Sequence, residues 1–363
     1  PIETDIGIFL QEIKGVTNNV VGVTGTKGKS TTATLFHAIV HGRHPDALIG
    51  GNITGSVLQM LPRVKKDTYV ILELSSFQLG GIAPMEYSPH VGIFTNFMED
   101  HLNYYGGMEE YFRDKSVLYR FQKEGDLLVV NREDAAYELI DPPSGTRVIS
   151  FGLDGEFEGE GSYVEDGTVF YRSRSGTFPV MRVSSITLPG SHNLYNVLAA
   201  VAAACCAGFG AAEIESTVKR FHGIAHRLEY VGSRGGVGFY NDSAATIPRA
   251  AIEGINSFEG HVTLVAGGSD KKLVLTDFIR TIEEKVAVLH LLEGSGTQRL
   301  IDCGLKKAYS LHSDLSSAVH AAFRSTPPGG TVLLSPGFAS FGMFKNEFHR
   351  GREFVKIVLG IPE

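Results

Sequence analysis

The sequence has no apolar run approaching the ~20 residues that a membrane-crossing helix requires, and no signal-peptide pattern opens it. A membrane partner is not expected. Cysteine is scarce, with Cys205, Cys206 and Cys303 the only three in 363 residues. Their spacing makes neither a disulfide framework nor a metal motif, and the adjacent pair in an alanine-rich stretch reads as small core residues. That usage fits a reducing compartment, so a cytoplasmic location is expected. A basic excess is missing as well: 33 Lys and Arg stand against 40 Asp and Glu, a formal net charge of −7. This argues against a nucleic-acid or membrane-surface protein, whose footprint is a basic patch. Internal repeats, charge blocks and low-complexity linkers are absent. So is an initiator methionine; the opening PIETDIGIFL reads as a fragment or a processed chain.

What is present is ordinary globular material, 43% hydrophobic and 20% charged, long enough for two domains. The most informative stretch is GVTGTKGKST, residues 22–31. It follows the apolar Val20 and Val21 and leads into a helix-like segment from Ser30 to Val40. In such a strand–turn–helix, backbone N–H groups and the positive helix end converge on phosphate, and Lys29 adds a point charge. The hydroxyl that follows, Ser30 or Thr31, is where Mg²⁺ would be held. The usual spacing asks for a glycine five residues before Gly28, where this chain has Val23. The loop is therefore a P-loop variant in which Gly25 makes the turn, and ATP is the expected ligand. A plain turn capped by Thr and Ser is disfavoured by the strand-to-helix context.

Residues 2–14 predict a short helix. TYVILEL (68–74), HVGIFTNF (90–97), DLLVVN (126–131) and TRVISFG (146–152) read as buried strands, with a helix from about Met108 to Tyr119 between the second and third. Short apolar strands with helical crossovers argue for a mostly parallel sheet covered on both faces. Residues 153–188, rich in Gly, Glu, Ser and Thr with alternating runs such as TVFYRS and FPVMRV, predict a small antiparallel sheet appended to this domain. A long alanine-rich helix follows within 189–209, capped at Ser191 or Asn193, and a second helix runs from Ala211 to Phe221. After GIAHRLEYVG (223–232) a new strand series begins with VGFYNDSAAT, HVTLVAGGS, VAVLHLLEG, KAYSLHS and GTVLLSPG. Helices are clearest at Asp314 to Arg324 and Phe344 to Leu359. The expected class is α/β: a P-loop ATPase domain over 1–223, mostly parallel with the small antiparallel sheet, then a Rossmann-like domain over 224–363.

In open parallel sheets ligands sit at the carboxyl ends of strands, and polar groups collect there. Glu73 ends an otherwise apolar strand, and a buried acid needs a partner such as a phosphate-bound Mg²⁺; capping the next turn is the plainer role. Asn96, Glu99, Asp100 and His101 cluster after the next strand and could ligate metal or orient phosphate, although alone they describe a solvated turn. Asn52, in GGN, follows a strand-end turn and could face the nucleotide. Lys115, in YFRDKSVLY, reads from spacing alone as an exposed helical lysine. In the second domain Asn241-Asp242-Ser243, AGGSDKK (266–272) and SPGFASF (335–341) are three polar strand ends, a coincidence that suggests a small-molecule site.

The stretches GVTGTKGKST, LELSSFQL, TNFMEDHLNYY, YFRDKSVLY, GSHNLYNVLAA, HRLEYVG, NDSAAT and LLSPGFASFGMFKNEFHRG occur in the order seen in the Mur ligases, and together they resemble that family over essentially the whole chain. LELSSFQL with SPGFASFGMFKN is most similar to its D-glutamate-adding branch. The resemblance implies ATP-dependent amide formation in peptidoglycan precursor synthesis: phosphoryl transfer to the carboxylate of UDP-N-acetylmuramoyl-L-alanine, then attack of D-glutamate on the acyl phosphate. It also implies a further N-terminal UDP-binding domain, after which this stretch would begin; a monomer is expected. By the same resemblance Lys29 and the loop of Gly25, Thr26, Gly28, Ser30 and Thr31 hold the nucleotide, which Asn52 could also face from its strand-end turn. Ser30 and Glu73 bind one Mg²⁺, and His101 helps bind a second. Lys115 matches a lysine that the family carbamylates into a metal ligand, the reverse of its bland reading. Asn196 and Arg227 match adenine-side contacts and Asp242 the ribose-binding acid. Thr246, Lys271 and Ser340 match the D-glutamate pocket.

Four departures accompany these matches. Lys27 stands where GTNGKS or GTNGKT is common, Ala244 stands for the lysine of DSKAT, GGSDKK offers both Lys271 and Lys272, and Glu347 precedes Phe348 where FKNF is usual. Three of the four fall on the amino-acid side. The competing readings are a ligase of the wider Mur and folylpolyglutamate group with another amino acid, a nucleotide-binding module without ligase activity, and a P-loop kinase or motor ATPase.

Overall fold

The computed structural model describes residues 4–53, 56–102, 104–188 and 190–362. The chain divides into two compact units, Pro1–Thr187 with Ser191–Phe221, and Leu188–Gly190 with His222–Glu363. The sequence pattern sets the division at 223/224; here the chain passes from one unit to the other at 221/222.

The first unit opens with helix α1 (Asp5–Ile13), whose N-cap Thr4 accepts a hydrogen bond from the Gly7 amide, as the orphan donors of a first turn require. Its strands are β1 (Val20–Thr24), β2 (Leu48–Gly51), β3 (Val70–Glu73), β4 (Val91–Phe94), β5 (Leu127–Asn131), β6 (Arg147–Phe151), β7 (Gly161–Glu165), β8 (Thr168–Ser173) and β9 (Gly176–Arg182). They form one sheet in the order β2-β3-β1-β4-β5-β6-β7-β8-β9. β1 to β6 are parallel, and β1, VVGVT, is buried throughout, the apolar continuity that a strand covered on both faces needs. Helices α2 (Lys29–Arg43), α3 (Ser76–Ile82), α4 (Met108–Arg120), α5 (Ser191–Cys206) and α6 (Ala211–Arg220) cover it. α3 starts in a capping box between Ser75 and Gln78. The cap expected at Ser191 lies outside the described side chains, and Asn193 is inside α5.

The expected antiparallel strands are appended to the first unit's sheet, and their pairing shows how. β7 pairs in parallel with β6 through Ser150–Gly161 and Phe151–Ser162, and β8 and β9 follow as antiparallel hairpins. The backbone edge of β6 is thereby satisfied, so the appended strands extend the main sheet.

The second unit carries β10 (Glu229–Arg234), β11 (Val237–Asn241), β12 (Val262–Gly267), β13 (Val288–Leu292), β14 (Tyr309–His312) and β15 (Thr331–Leu334), in the order β10-β11-β15-β12-β13-β14. All pairs are parallel except β10–β11. β10 falls in the segment read as a lead-in; its residues are mostly half-exposed and its register shifts between Tyr230 and Gly232, so it lacks a buried strand's apolar run. Helices α7 (Pro248–Asn256), α8 (Thr276–Lys285) and α9 (Ser295–Asp302) join one core with Leu264, Leu291 and Leu333. Helices α10 (Leu315–Ser325) and α11 (Glu347–Leu359) join another with Val265, Leu292 and Leu334. Alternate residues of the same strands serve the two cores, the pattern of a doubly wound sheet. Among the described residues no helix is long and apolar enough to cross a membrane.

Candidate active site

The loop between β1 and α2 is shaped by two glycines with positive φ, Gly25 at +147° and Gly28 at +81°. Both belong to the region that favours glycine, and a Cβ at either would collide, with Thr95 Oγ1 and with the Asn196 amide respectively. The loop is held from below by the end of β4. Thr26 N donates to Asn96 O (2.9 Å), Lys27 N donates to Asn96 Oδ1 (2.8 Å), and Asn96 Nδ2 and Thr95 Oγ1 donate to Lys27 O at 3.0 and 2.6 Å. The Thr26 hydroxyl accepts from Met98 N at 3.0 Å and lies 3.3 Å from Tyr111 Oη. Lys29 Nζ donates to Gly25 O and Thr26 O, at 3.0 and 2.9 Å, and so lies over the loop. Ser30 and Thr31 are half-buried in the first turn of α2, where orphan N–H groups and the positive helix end favour anions. Asn196, on α5, is buried against Gly28 and donates to Asn193 Oδ1. Its place beside the loop is what the structure adds to its expected adenine-side role.

Lys115 is the largest surprise of this unit. It is 1% exposed on α4, and its Nζ donates to Gly25 O at 2.7 Å and sits 4.7 Å from the centre of the Tyr111 ring. Burial, reinforced by the nearby Lys29 charge and opposed by Asp100, lowers its pKa from 10.5 to about 7. The exposed-lysine reading fails because α4 turns this face onto the loop, with Tyr111 one turn earlier.

Glu73 ends β3, where its register partner is Val23 on β1. It is 2% exposed; Oε1 accepts from Asn52 Nδ2 at 3.2 Å, and Oε2 has no hydrogen-bond partner among the described residues. A buried carboxylate oxygen without a donor is costly, and a cation is the natural partner for it. Asn52 also donates its amide to Glu73 O. His101 is on the loop after β4 with φ +55°; its ring is half-exposed, 3.9 Å from Asp100 Oδ2, and edge-on to Phe77 and Tyr111. Among the described residues no three His, Cys, Asp or Glu side chains converge to hold a metal by themselves. Phosphate oxygens, the Ser30 hydroxyl or water would have to complete any shell around Glu73 or His101.

In the second unit the three polar strand ends gather at the carboxyl edge of the sheet. Asp242, after β11, is buried; Ser335 Oγ donates to its Oδ2 at 2.6 Å and the Leu228 amide to its Oδ1 at 3.3 Å. Burial raises its pKa to about 7 against these two bonds and the Arg227 and Arg350 charges. Arg227 is exposed, next to Leu228. Lys271 Nζ donates to Thr246 Oγ1 at 3.1 Å, and the two line a small cleft with Asp270 and Phe338. Lys272 points its backbone elsewhere, its amide donating to Asp270 Oδ1, so Lys271 is the lysine that meets Thr246. Ser340 is buried beside the Ser269–Ala339 bridge.

Sequence reasoning missed Arg350, which is 1% exposed and hydrogen-bonds to a hydroxyl and two backbone carbonyls. Its Nε donates to Ser243 Oγ at 3.0 Å, Nη2 to Ser243 O at 3.0 Å, and Nη1 and Nη2 to Phe338 O at 3.2 Å. It therefore ties the turn after β11 to the turn after β15. Ser243 Oγ in turn donates to Glu347 O, which puts Glu347 at the start of α11 to backbone use. A signal existed: Arg350 stands on the buried stripe of α11 with Phe354 and Val358, where spacing asks for an apolar residue.

Comparison with known proteins identifies the family. The Mur ligase middle domain family matches residues 23–204. The UDP-N-acetylmuramoylalanine–D-glutamate ligase of Roseiflexus sp. (strain RS-1) is 37% identical over 98% of this chain and 78% of its own length. Those of Symbiobacterium thermophilum and Geobacillus kaustophilus are 34% and 33% identical, over 98% and 99% of this chain and 78% of theirs. Among solved structures, a UDP-N-acetylmuramoyl-L-alanyl-D-glutamate–2,6-diaminopimelate ligase superposes with a TM-score of 0.69 at 20% identity, over 97% of this chain and 81% of that one. The MurF ligase of Thermotoga maritima, solved with ADP, gives 0.62 at 16% identity over 97% and 82%. At such identities these two speak for the fold. The chain belongs to the Mur ligase family, and within it to the branch of the UDP-N-acetylmuramoylalanine–D-glutamate ligases.

Proposed function

We propose that this chain is an ATP-dependent ligase that joins D-glutamate to UDP-N-acetylmuramoyl-L-alanine in peptidoglycan precursor synthesis, acting as a cytoplasmic monomer. The observation that carries its ATP chemistry is the buried Glu73 Oε2, which has no donor among the described residues and ends the strand beside the Gly25–Ser30 loop, while the relatives carry the choice of D-glutamate. A substrate carboxylate oxygen attacks the γ-phosphorus of ATP and ADP leaves. The amine of D-glutamate then attacks the acyl phosphate, losing a proton as inorganic phosphate departs. In phosphoryl transfer of this kind, positioning and charge neutralisation dominate.

Lys29, with Gly25, Thr26, Gly28 and the first turn of α2, holds the phosphates and meets the charge on the transferring group. Ser30 and Glu73 fit one Mg²⁺, and His101 with Lys115 would serve a second. Bound there, Mg²⁺ supplies charge neutralisation at the phosphate oxygens. The lowered pKa of Lys115 supports carbamylation: its neutral amine can add to CO₂ and release a proton, converting a cation into an anionic ligand. Asn52 steadies Glu73. Asn196 and Arg227 serve the adenine side, Asp242 the ribose, and Thr246, Lys271 and Ser340 the D-glutamate, Lys271 pairing with a carboxylate.

The test is ADP release from ATP, Mg²⁺ and UDP-N-acetylmuramoyl-L-alanine, with and without D-glutamate and across a panel of other amino acids. Release that depends on D-glutamate and falls at least ~10²-fold in Lys29→Ala is the expected result. Dependence on another amino acid would reassign the substrate. ATP binding with no amino-acid-dependent turnover would overturn the ligase reading.

A further inference from the structure

The helix that begins in the phosphate loop carries two imidazoles near its other end, away from every residue used above. His37 and His41 are four residues apart on α2 and so share a face. Their ring centres are 5.5 Å apart with a 45° tilt, and both line a cavity of about 430 Å³ together with Ser56, Gln59, Met60 and Arg63.

The tautomer of His37 follows from its surroundings. Its Nε2 lies 3.2 Å from Ala47 O. A carbonyl can only accept, so Nε2 carries the proton and the lone pair is on Nδ1. A ring N–H donated to a backbone carbonyl is the arrangement that orients a metal-ligating histidine and fixes its other nitrogen as the ligand. Burial, with the charge of His41 adding to it, lowers the pKa of His37 against the effect of the Ala47 bond, which favours the neutral, ligating form. Separation fits as well. With a metal–nitrogen bond of roughly 2.0–2.1 Å, each ring centre stands roughly 3.2 Å from a bound ion, so two rings up to roughly 6.4 Å apart can share one, and the observed spacing is within that reach. His41 is in the last turn of α2, whose negative end favours a cation.

We propose that His37 and His41 form a two-histidine site for a borderline divalent transition ion of the Zn²⁺ or Ni²⁺ class, its remaining positions open to water or to the oxygen and sulfur donors of the cavity. Imidazole donors discriminate against Mg²⁺, so this site is chemically distinct from the one at Glu73. An ion bound here fastens the end of α2 to the 45–47 segment that feeds β2, because the Ala47 carbonyl holds the liganding ring.

The test uses untagged protein stripped of transition metals and kept in excess Mg²⁺. Zn²⁺ is titrated by calorimetry, with the imidazole nitrogens followed by NMR. One saturating event is expected, insensitive to Mg²⁺, that moves the Nδ1 resonance of His37, and the thermal midpoint should rise with the logarithm of free Zn²⁺ above the Kd. His37→Ala and His41→Ala should each weaken it at least ~tenfold. His41 is exposed, so His41→Ala keeps the fold and decides the question if His37→Ala does not fold. Zn²⁺ affinity unchanged in His41→Ala, or the absence of any saturable event, overturns the proposal.

Discussion

A protonated Lys115 is expensive where it sits, and the expense has a pH signature. The folded state holds its pKa near 7 while the unfolded chain titrates at the ordinary 10.5. Between those values the unfolded chain carries a proton that the folded one lacks, so this group's contribution to stability rises with pH across that window and is at its worst below it. Lys115→Met should remove the slope: urea midpoints between pH 7 and pH 10 should climb less in the variant than in the parent, and the variant should be the more stable at pH 7. An identical slope in both would mean that the amine is not desolvated. Asp242 works in the opposite sense, since its raised pKa keeps a proton on the folded state between 3.8 and about 7, so its contribution falls as pH rises there. Arg350 makes a second residue-scale case. Its planar fork satisfies Ser243 and Phe338 together, a geometry that an ammonium cannot reproduce. Arg350→Lys should cost on the order of 2–4 kcal/mol of stability, by leaving buried carbonyls short of donors. It should also raise the KM for D-glutamate more than it lowers kcat. A parent-like urea midpoint and KM would show that the two turns hold without it.

At the scale of elements, the phosphate loop is best seen as a strand-to-helix turn clamped by its neighbour. Asn96 brackets Lys27 from both sides, taking its N–H and giving to its carbonyl. Replacing it by Ala removes two hydrogen bonds from a loop whose glycines have no stiffness of their own, a loss of about 1–3 kcal/mol in local order. Asn96→Ala should weaken binding of a nucleoside triphosphate several-fold while leaving the thermal midpoint within a few degrees; unchanged affinity would place the order of the loop elsewhere. This clamp also marks where sequence reasoning stops. Alternation and apolar runs located the strands, because periodicity is local, and Gly25-to-Ser30 announced a phosphate site, because its spacing is local too. The second role of Asn96 was hidden, since a strand-end polar residue reads as ligand or turn until the neighbouring strand is known. The same holds for Lys115: its helix was legible, while the face it buries depends on how α4 lies over β1 and β4. The β7–β9 extension was half legible. Its alternation gave the strands, and only the pairing of Gly161 with Ser150 shows that they continue the main sheet.

For the molecule as a whole, each unit has its own hydrophobic core and its own polar strand ends, the groups proposed above to meet ligands. Ligands that use one set should therefore protect one unit, because binding slows local opening where its contacts are made. Inorganic triphosphate with Mg²⁺ should slow amide hydrogen exchange in the 25–32 loop and around Glu73, with no change after residue 222. Asp242→Ala should leave this triphosphate-dependent protection unchanged. D-glutamate alone should protect 246 and 269–272, and leave the first unit untouched. Exchange followed by mass spectrometry on the intact chain resolves these segments. Protection of the 25–32 loop by D-glutamate, or of 269–272 by triphosphate, would contradict the division of labour between the two sheets, whatever the outcome of the turnover assay.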